Sequence, residues 1–160
     1  MFVIVAADLN WGIGKNGKLL FPIPEDLNRF KRLTMNKTVV MGRLTLESLP
    51  KGKPLAGRRN IVLTQKGRIE GAECAASLDE FFELIKDEPE DNVAVIGGES
   101  VYRQLLPYSS YALVTRIYKA FESDCSFPDL DADPSWSLDE SSPEHQHLST
   151  PYTYLRYARR

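Results

Sequence analysis

The sequence predicts an α/β protein: a mainly parallel central β-sheet with an antiparallel C-terminal edge, flanked by about four helices. β-prone apolar runs alternate with helical stretches through about residue 117, the pattern of a parallel sheet covered by helices. The first run, Phe2 to Ala7, is apolar throughout, as suits a central strand buried on both faces. Beyond residue 117 strand-like stretches dominate, which predicts the antiparallel edge.

The elements follow in order. Asp8 to Ile23 holds three glycines and a proline and reads as a long loop. Pro24 to Leu33 reads as a helix: Pro24 suits its first turn, and Glu25 and Asp26 complement the positive end of its dipole. Lys37 to Met41 is a strand, Arg43 to Leu49 a short helix, and Arg59 to Thr64 a third strand. Ser77-Leu-Asp-Glu80 has the capping-box pattern and opens a helix through about Lys86, with Phe81, Phe82 and Ile85 as its apolar stripe. Asn92 to Ile96 is a strand followed at once by Gly97-Gly98. Ser100 to Leu106 is helical and stops at Pro107. Tyr111 to Ile117 is a strand, and Tyr152 to Tyr157 is the last, paired with one near Trp136 to Leu138.

At 160 residues the chain suits one domain, 1–160. With 42% hydrophobic and 26% charged residues it falls in the globular range. Apolar runs are far below the ~18 residues of a membrane span, and no basic stretch precedes Met1 to Ala7, so neither a span nor a secretory signal is expected. Two cysteines, Cys74 and Cys125, exclude a disulfide framework and read as packed thiols of a cytoplasmic protein. The net charge of −2 excludes strong nucleic-acid binding, but it is unevenly spread. Residues 1–80 carry 13 Lys/Arg against 8 Asp/Glu, and residues 81–160 carry 7 against 14. Between Glu47 and Glu70 there is no acid, while Lys51, Lys53, Arg58, Arg59, Lys66 and Arg68 lie there. Such a field attracts phosphates or carboxylates, although a solvated loop would look the same.

Gly12-Ile-Gly14-Lys-Asn-Gly17 matches the dinucleotide fingerprint only literally. That fingerprint needs a helix opening among the glycines, and Pro22 and Pro24 forbid one. A flexible loop at the carboxyl end of the first strand, able to serve as a lid, is the better reading. Asp26 shares a helix face with Phe30. It either decorates the helix start or presents a carboxylate to a cationic or guanidine-like ligand, with an apolar wall raising its pKa. Gly97-Gly98 and Met41-Gly42-Arg43-Leu44-Thr45 both place glycine between a strand and a helix. Two turns suited to anions imply a ligand with several phosphates, bound beyond the carboxyl ends of the strands. His145 and His147 share a strand face with no obvious third ligand, so no metal site is expected.

Val5-Ala-Ala7, Ile13-Gly-Lys-Asn-Gly17, Pro24-Glu-Asp-Leu27 with Phe30-Lys31, and Met41-Gly-Arg-Leu-Thr-Leu-Glu-Ser48 open a longer ordered set. Leu55-Ala-Gly-Arg-Arg-Asn60, Val95-Ile-Gly-Gly98, Val101-Tyr102, Thr115, Asp124 and Phe127-Pro128 complete it. Together, over essentially the whole chain, these segments resemble the bacterial form of dihydrofolate reductase. The resemblance implies a three-layer sandwich of that family. It also implies reduction of 7,8-dihydrofolate to tetrahydrofolate with NADPH, by hydride transfer to C6 and protonation of N5. It identifies Asp26 with the family's acid and Thr115 with its hydrogen-bonding threonine. Val5, Ala6, Leu27, Phe30, Leu49 and Leu55 would wall the substrate, and Arg58 would pair with the α-carboxylate of its glutamate tail.

For NADPH the resemblance implies Arg43 and Thr45 on the phosphates, with Gly42 and Leu44 beside them. Leu63, Thr64, Gln65 and Lys66 would lie toward the 2′-phosphate. Ile96, Gly97, Gly98 (a cis pair with Gly97 in the family), Glu99, Ser100 and Val101 would lie against the cofactor. Ala7, Ile13 and Tyr102 would flank the nicotinamide. The chain departs from the family at Leu20-Phe21, where Pro-Trp is usual. Phe21 keeps the aromatic wall of the catalytic end but has no N–H to hold water. Leu46 stands where an aromatic is often found, and Glu99 adds no positive charge for the 2′-phosphate. A related reductase of another pterin or pyrimidine, or a non-catalytic folate- or NADPH-binding module, would share much of this pattern. Arg58 separates the first and the Asp26–Thr115 pair the second. A monomer binding only small molecules is expected.

Overall fold

A computed structural model describes residues 1–160. In chain order it contains β1 (Phe2–Ala7), β2 (Gly12–Gly14), α1 (Pro24–Thr34), β3 (Thr38–Gly42) and α2 (Arg43–Ser48). Next come β4 (Arg59–Leu63), β5 (Glu73–Ala75), α3 (Leu78–Ile85), β6 (Val93–Gly97) and α4 (Glu99–Leu105). The last are β7 (Tyr111–Ile117), β8 (Cys125–Ser126), β9 (Trp136–Ser141), β10 (His145–His147) and β11 (Thr150–Arg159).

The main sheet runs β10-β11-β7-β1-β6-β3-β4-β5, and β9 also pairs with β11. From β7 to β5 all neighbours are parallel. β11 returns antiparallel to β7, and β9 and β10 run antiparallel to β11. The parallel sheet with its antiparallel C-terminal edge is the expected one.

The continuous apolarity of β1 has the expected cause. Val3 and Val5 belong to one core cluster, with Val40, Val95, Phe81 and Leu105. Phe2 and Ile4 belong to another, with Val39, Met41 and Val62. Alternate residues thus face opposite sides of the sheet. α3 and α4 cover the first face, while α1 and α2 cover the second through Phe30, Leu33 and Leu46. Ser77 Oγ accepts from the Glu80 amide at 3.1 Å, as the cap signal predicts, and Glu80 accepts from the Ala76 amide at 2.8 Å.

The short strands β2, β5 and β8 are absent from the sequence reading, which does place His145 and His147 of β10 on a strand. The 8–23 loop contains β2, which pairs with β8. β5 extends the parallel edge, and β10 forms a hairpin with β11. β2, β5 and β8 are each two or three residues long, so their own pattern cannot reveal them. Asp8 holds the loop's first turn: its carboxylate accepts from the amides of Asn10, Gly12 and Phe121 at 2.8–2.9 Å. Trp11 packs into the core beneath Arg116, whose guanidinium lies 4.1 Å above its ring. It therefore cannot supply the indole donor that Phe21 lacks.

Candidate active site

The parallel strands bring their carboxyl ends to one edge. Met41 lies opposite Gly97, and Gly42 lies opposite Leu63. On β1, Ala6 lies opposite Thr115, which in turn lies opposite Tyr154 of β11. Paired residues share a sheet face, so these three form a row beneath α1.

Above this row stands Asp26. Thr115, itself buried, donates from Oγ1 to Asp26 Oδ1 at 2.6 Å. The surrounding cavity is lined largely by apolar side chains, among them Ala6, Ile13, Leu20, Phe21, Leu27 and Ile117. Burial pushes the Asp26 carboxyl above its ordinary range, while the Thr115 bond and the nearby charge of Arg29 pull it back. A carboxylate so placed can hold a proton closer to neutrality than a surface acid can.

Phe21 stacks on Phe121 at 5.5 Å between centroids and meets His147 edge-on at 5.4 Å. These contacts close the aromatic end of the cavity. Leu27 is 47% exposed and lines the cavity. Phe30, Leu49 and Leu55 are only partly buried against the second core cluster. This half-covered apolar surface is where a ring system can dock. Arg58 stands nearby with no acid in ion-pair range. Its Nε donates to the Ala56 carbonyl at 2.9 Å and its Nη1 to Thr34 Oγ1 at 3.2 Å.

The two glycine turns pack together. A Cβ on Gly98 would stand 3.3 Å from Thr45 Oγ1, and one on Gly42 would stand 3.2 Å from Val101. The Gly97-Gly98 peptide is cis, as the resemblance implies. Gly97 has φ +123°, and the Tyr102 ring lies 3.3 Å from where its Cβ would be. Tyr102 donates to the Ile4 carbonyl at 2.8 Å, tying α4 to the central strand. Arg43 donates to Glu47 at 3.3 Å and to the Lys66 carbonyl at 3.0 Å, and the Lys66 amide donates to Thr64 Oγ1 at 3.1 Å. Glu99 turns away from this edge, accepting from the Ser126 amide and hydroxyl. Its charge is thereby partnered. Leu44 is 81% exposed, and Ser100 is exposed at the start of α4.

A second cavity joins Leu63, Thr64 and Gln65 to Ala76, Ser77 and Gln104. The last three are absent from the sequence-derived site. Ser77 is legible in sequence only as a cap, and Gln104 reaches the cavity only because α4 packs over β6 and β3. Asp8, which lines the Asp26 cavity, also went unread. Its signal is an acid directly after the first strand, within an otherwise apolar and glycine-rich stretch.

The cleft thus joins a half-buried acid in apolar surroundings to a glycine cradle with basic and hydroxyl donors. Fold and site define an oxidoreductase of the nucleotide-dependent α/β class. A sequence model of the dihydrofolate reductase family matches residues 1–159. The dihydrofolate reductase of Mycobacterium leprae is 48% identical over 117 residues, covering 70% of each chain. That of Bacillus subtilis is 36% identical over 153 residues, covering 94% of this chain and 88% of its own. A solved dihydrofolate reductase from Enterococcus faecalis, complexed with NADP(H), superposes with a TM-score of 0.87 at 32% identity. That superposition covers 99% of this chain and 95% of the other. The chain belongs to the dihydrofolate reductase family. It is an oxidoreductase that reduces dihydrofolate with NADPH. No helix is long and apolar enough to cross a membrane.

Proposed function

We propose that Asp26 is the acid of this reaction and that Thr115 positions it. The observation that carries this reading is the 2.6 Å bond between them inside an apolar cavity at the strand ends. Ionised Asp26 accepts the amino and ring N–H edge of the pterin as paired hydrogen bonds. Its raised proton affinity promotes protonation of N5. Ala6, Leu27, Phe30, Leu49 and Leu55 enclose the rings and exclude water, while Val5, whose side chain packs into the core on the other face of β1, supports the pterin end from beneath. Phe21 closes the cavity without adding a donor. Arg58 binds the α-carboxylate of the glutamate tail with its planar fork, and its freedom from any acid supports that role. A substrate without that tail would leave this arginine idle.

The residues fit NADPH. The glycine cradle leaves room that side chains would fill, and its surroundings carry donors rather than free acids. Gly42, Arg43, Leu44 and Thr45 would hold the phosphates, and Leu63, Thr64, Gln65 and Lys66 the 2′-phosphate end. Ile96, Gly97, Gly98, Ser100 and Val101 would support the cofactor's length, with Ala7, Ile13 and Tyr102 around the nicotinamide. Glu99 serves by anchoring the start of α4 to Ser126 rather than by touching phosphate. When bound, NADPH supplies the hydride.

The chain also reads as one domain, a monomer and a cytoplasmic protein. Its two cysteines are free, as a reducing compartment keeps them, and burial pushes the Cys125 thiol up to about 11. Exposed large apolar residues such as Leu44, Leu138 and Leu148 lie on different elements instead of one face. The test of function is the absorbance of NADPH mixed with the protein, with and without dihydrofolate. Rapid oxidation only with dihydrofolate is expected. Folded protein that binds NADPH without oxidising it would refute the assigned reaction.

A further inference from the structure

Arg29 is the unexplained charge beside the acid. It lies three residues beyond Asp26 on α1, where side chains are neighbours. It is half-buried, and its side chain meets an aromatic ring rather than an acid. Its guanidinium lies 4.1 Å over the ring of Tyr154. Tyr154 stands directly opposite Thr115 in the sheet, and Thr115 holds Asp26. Arg29 and Asp26, neighbours on α1, thus stand over Tyr154 and Thr115, which are paired across β11 and β7. The ring is fixed in turn: Tyr152 packs edge-on at 5.7 Å, and His145 lies 5.3 Å away. The Tyr154 hydroxyl is buried, and its ring is the platform for the guanidinium.

We propose that Arg29, docked on Tyr154, is a positioning residue that acts through Asp26, its charge favouring the ionised carboxylate and so setting the pH at which the acid loads its proton. The proposal rests on the reading of Asp26 as the reaction's acid. The physical need is plain. An apolar cavity alone favours the neutral acid, which cannot accept paired hydrogen bonds on both oxygens. A cation held on an aromatic face is partly desolvated and acts at short range with less screening. Burial lowers the proton affinity of Arg29 itself, while Asp26 raises it, consistent with mutual attraction.

Other groups around Asp26 cannot substitute. From α1, Glu25 is an acid, bonded to the Tyr152 hydroxyl at 3.1 Å, and Arg32 lies a turn beyond Arg29 and so nearly two turns from Asp26. Thr115 of β7 is neutral. Tyr152 and Tyr154 of β11 have their hydroxyl protons held more tightly than usual. On β10, His145 stacks on Tyr152 and His147 meets Phe21. Asp8, in the same cavity, bonds three backbone amides. Arg29 is thus the adjacent cation.

The test is a titration of the Asp26 carboxyl carbon by NMR in the ligand-free protein, for the parent, Arg29→Met, Arg29→Gln and Arg29→Lys. Folding of each is checked by thermal melting. The Met and Gln variants are expected to titrate higher by roughly half a unit or more, and the Lys variant closer to the parent. An unmoved midpoint in a folded Met or Gln variant overturns the proposal, as does a Lys variant that moves as far as Met. The pH profile of turnover is measured in parallel, with its fall toward high pH expected to move upward by the same amount. A moved NMR midpoint with an unmoved profile overturns the link to catalysis. Loss of turnover in Asp26→Asn tests the underlying reading separately.

Discussion

Thr115 Oγ1 donates a 2.6 Å hydrogen bond to Asp26 Oδ1, joining β7 to the first turn of α1 across 89 positions of sequence. This bond offsets part of the burial that raises the acid. Thr115→Val keeps the branched shape and removes the donor. At neutral pH it is expected to cost about 1–3 kcal/mol, measured by chemical denaturation. The fall of turnover with pH should move to higher pH, because the ionised carboxylate loses support.

Asp26→Asn should lower turnover by roughly two to four orders of magnitude while NADPH affinity changes far less. Its effect on stability has the opposite sign. Asp26 binds its proton more tightly in the folded protein than at the ordinary value of 3.8. Stability therefore falls as pH rises from that value through the raised one, and stays lowered above it. The asparagine variant should melt higher than the parent at neutral pH, and the gain should vanish below about pH 4. Melting curves at the two pH values check this.

Arg58→Leu should raise KM for dihydrofolate roughly tenfold to a hundredfold and leave turnover at saturation nearly unchanged. The guanidinium has no acid partner in the protein to stabilise, so the fold should tolerate the change. Steady-state kinetics decide it: an unchanged KM would remove Arg58 from the substrate site.

Gly97→Ala should destabilise the protein by about 1–3 kcal/mol. Its φ of +123° disfavours any side chain, and the new methyl would meet the Tyr102 ring at 3.3 Å. Because Tyr102 bonds to the Ile4 carbonyl, displacement would reach the central strand. Denaturation midpoints measure the loss, and weaker NADPH binding should accompany it.

Asp8→Ala would leave the amides of Asn10, Gly12 and Phe121 without their acceptor. Faster hydrogen exchange at these three amides is expected, with core amides of β1 unchanged. Equal protection in both proteins would show that the loop is held by its other contacts.

The strands that are buried on both faces were legible because burial demands unbroken apolarity. Val39, Val40 and Met41 of β3, or Val93 to Val95 of β6, show it as clearly as β1 does. β5 and β8 were not, since two or three residues carry too little pattern of their own. Leu27 shows a different limit: an apolar residue on a helix looks the same whether it meets a core or a ligand cleft. The glycine turns and Asp26 were visible as residues, but position alone favoured Asp26 as a helix-start decoration. Ser77 and Gln104 had no signal of their own as cavity residues.

The amino-acid pattern by itself determined the layered α/β fold, the order of its strands and helices, and the family, because hydrophobic period, turn residues and ordered motifs are local properties. Tertiary structure decided what those residues do to one another. Strand register brought Met41, Gly97, Gly42 and Leu63 to one edge, and it set Ala6, Thr115 and Tyr154 in one row. Packing of α1 over that row placed Asp26 on Thr115 and Arg29 on Tyr154. Hydrogen bonds and charge effects act over a few ångströms, and only the folded chain brings residues so distant in sequence within that range.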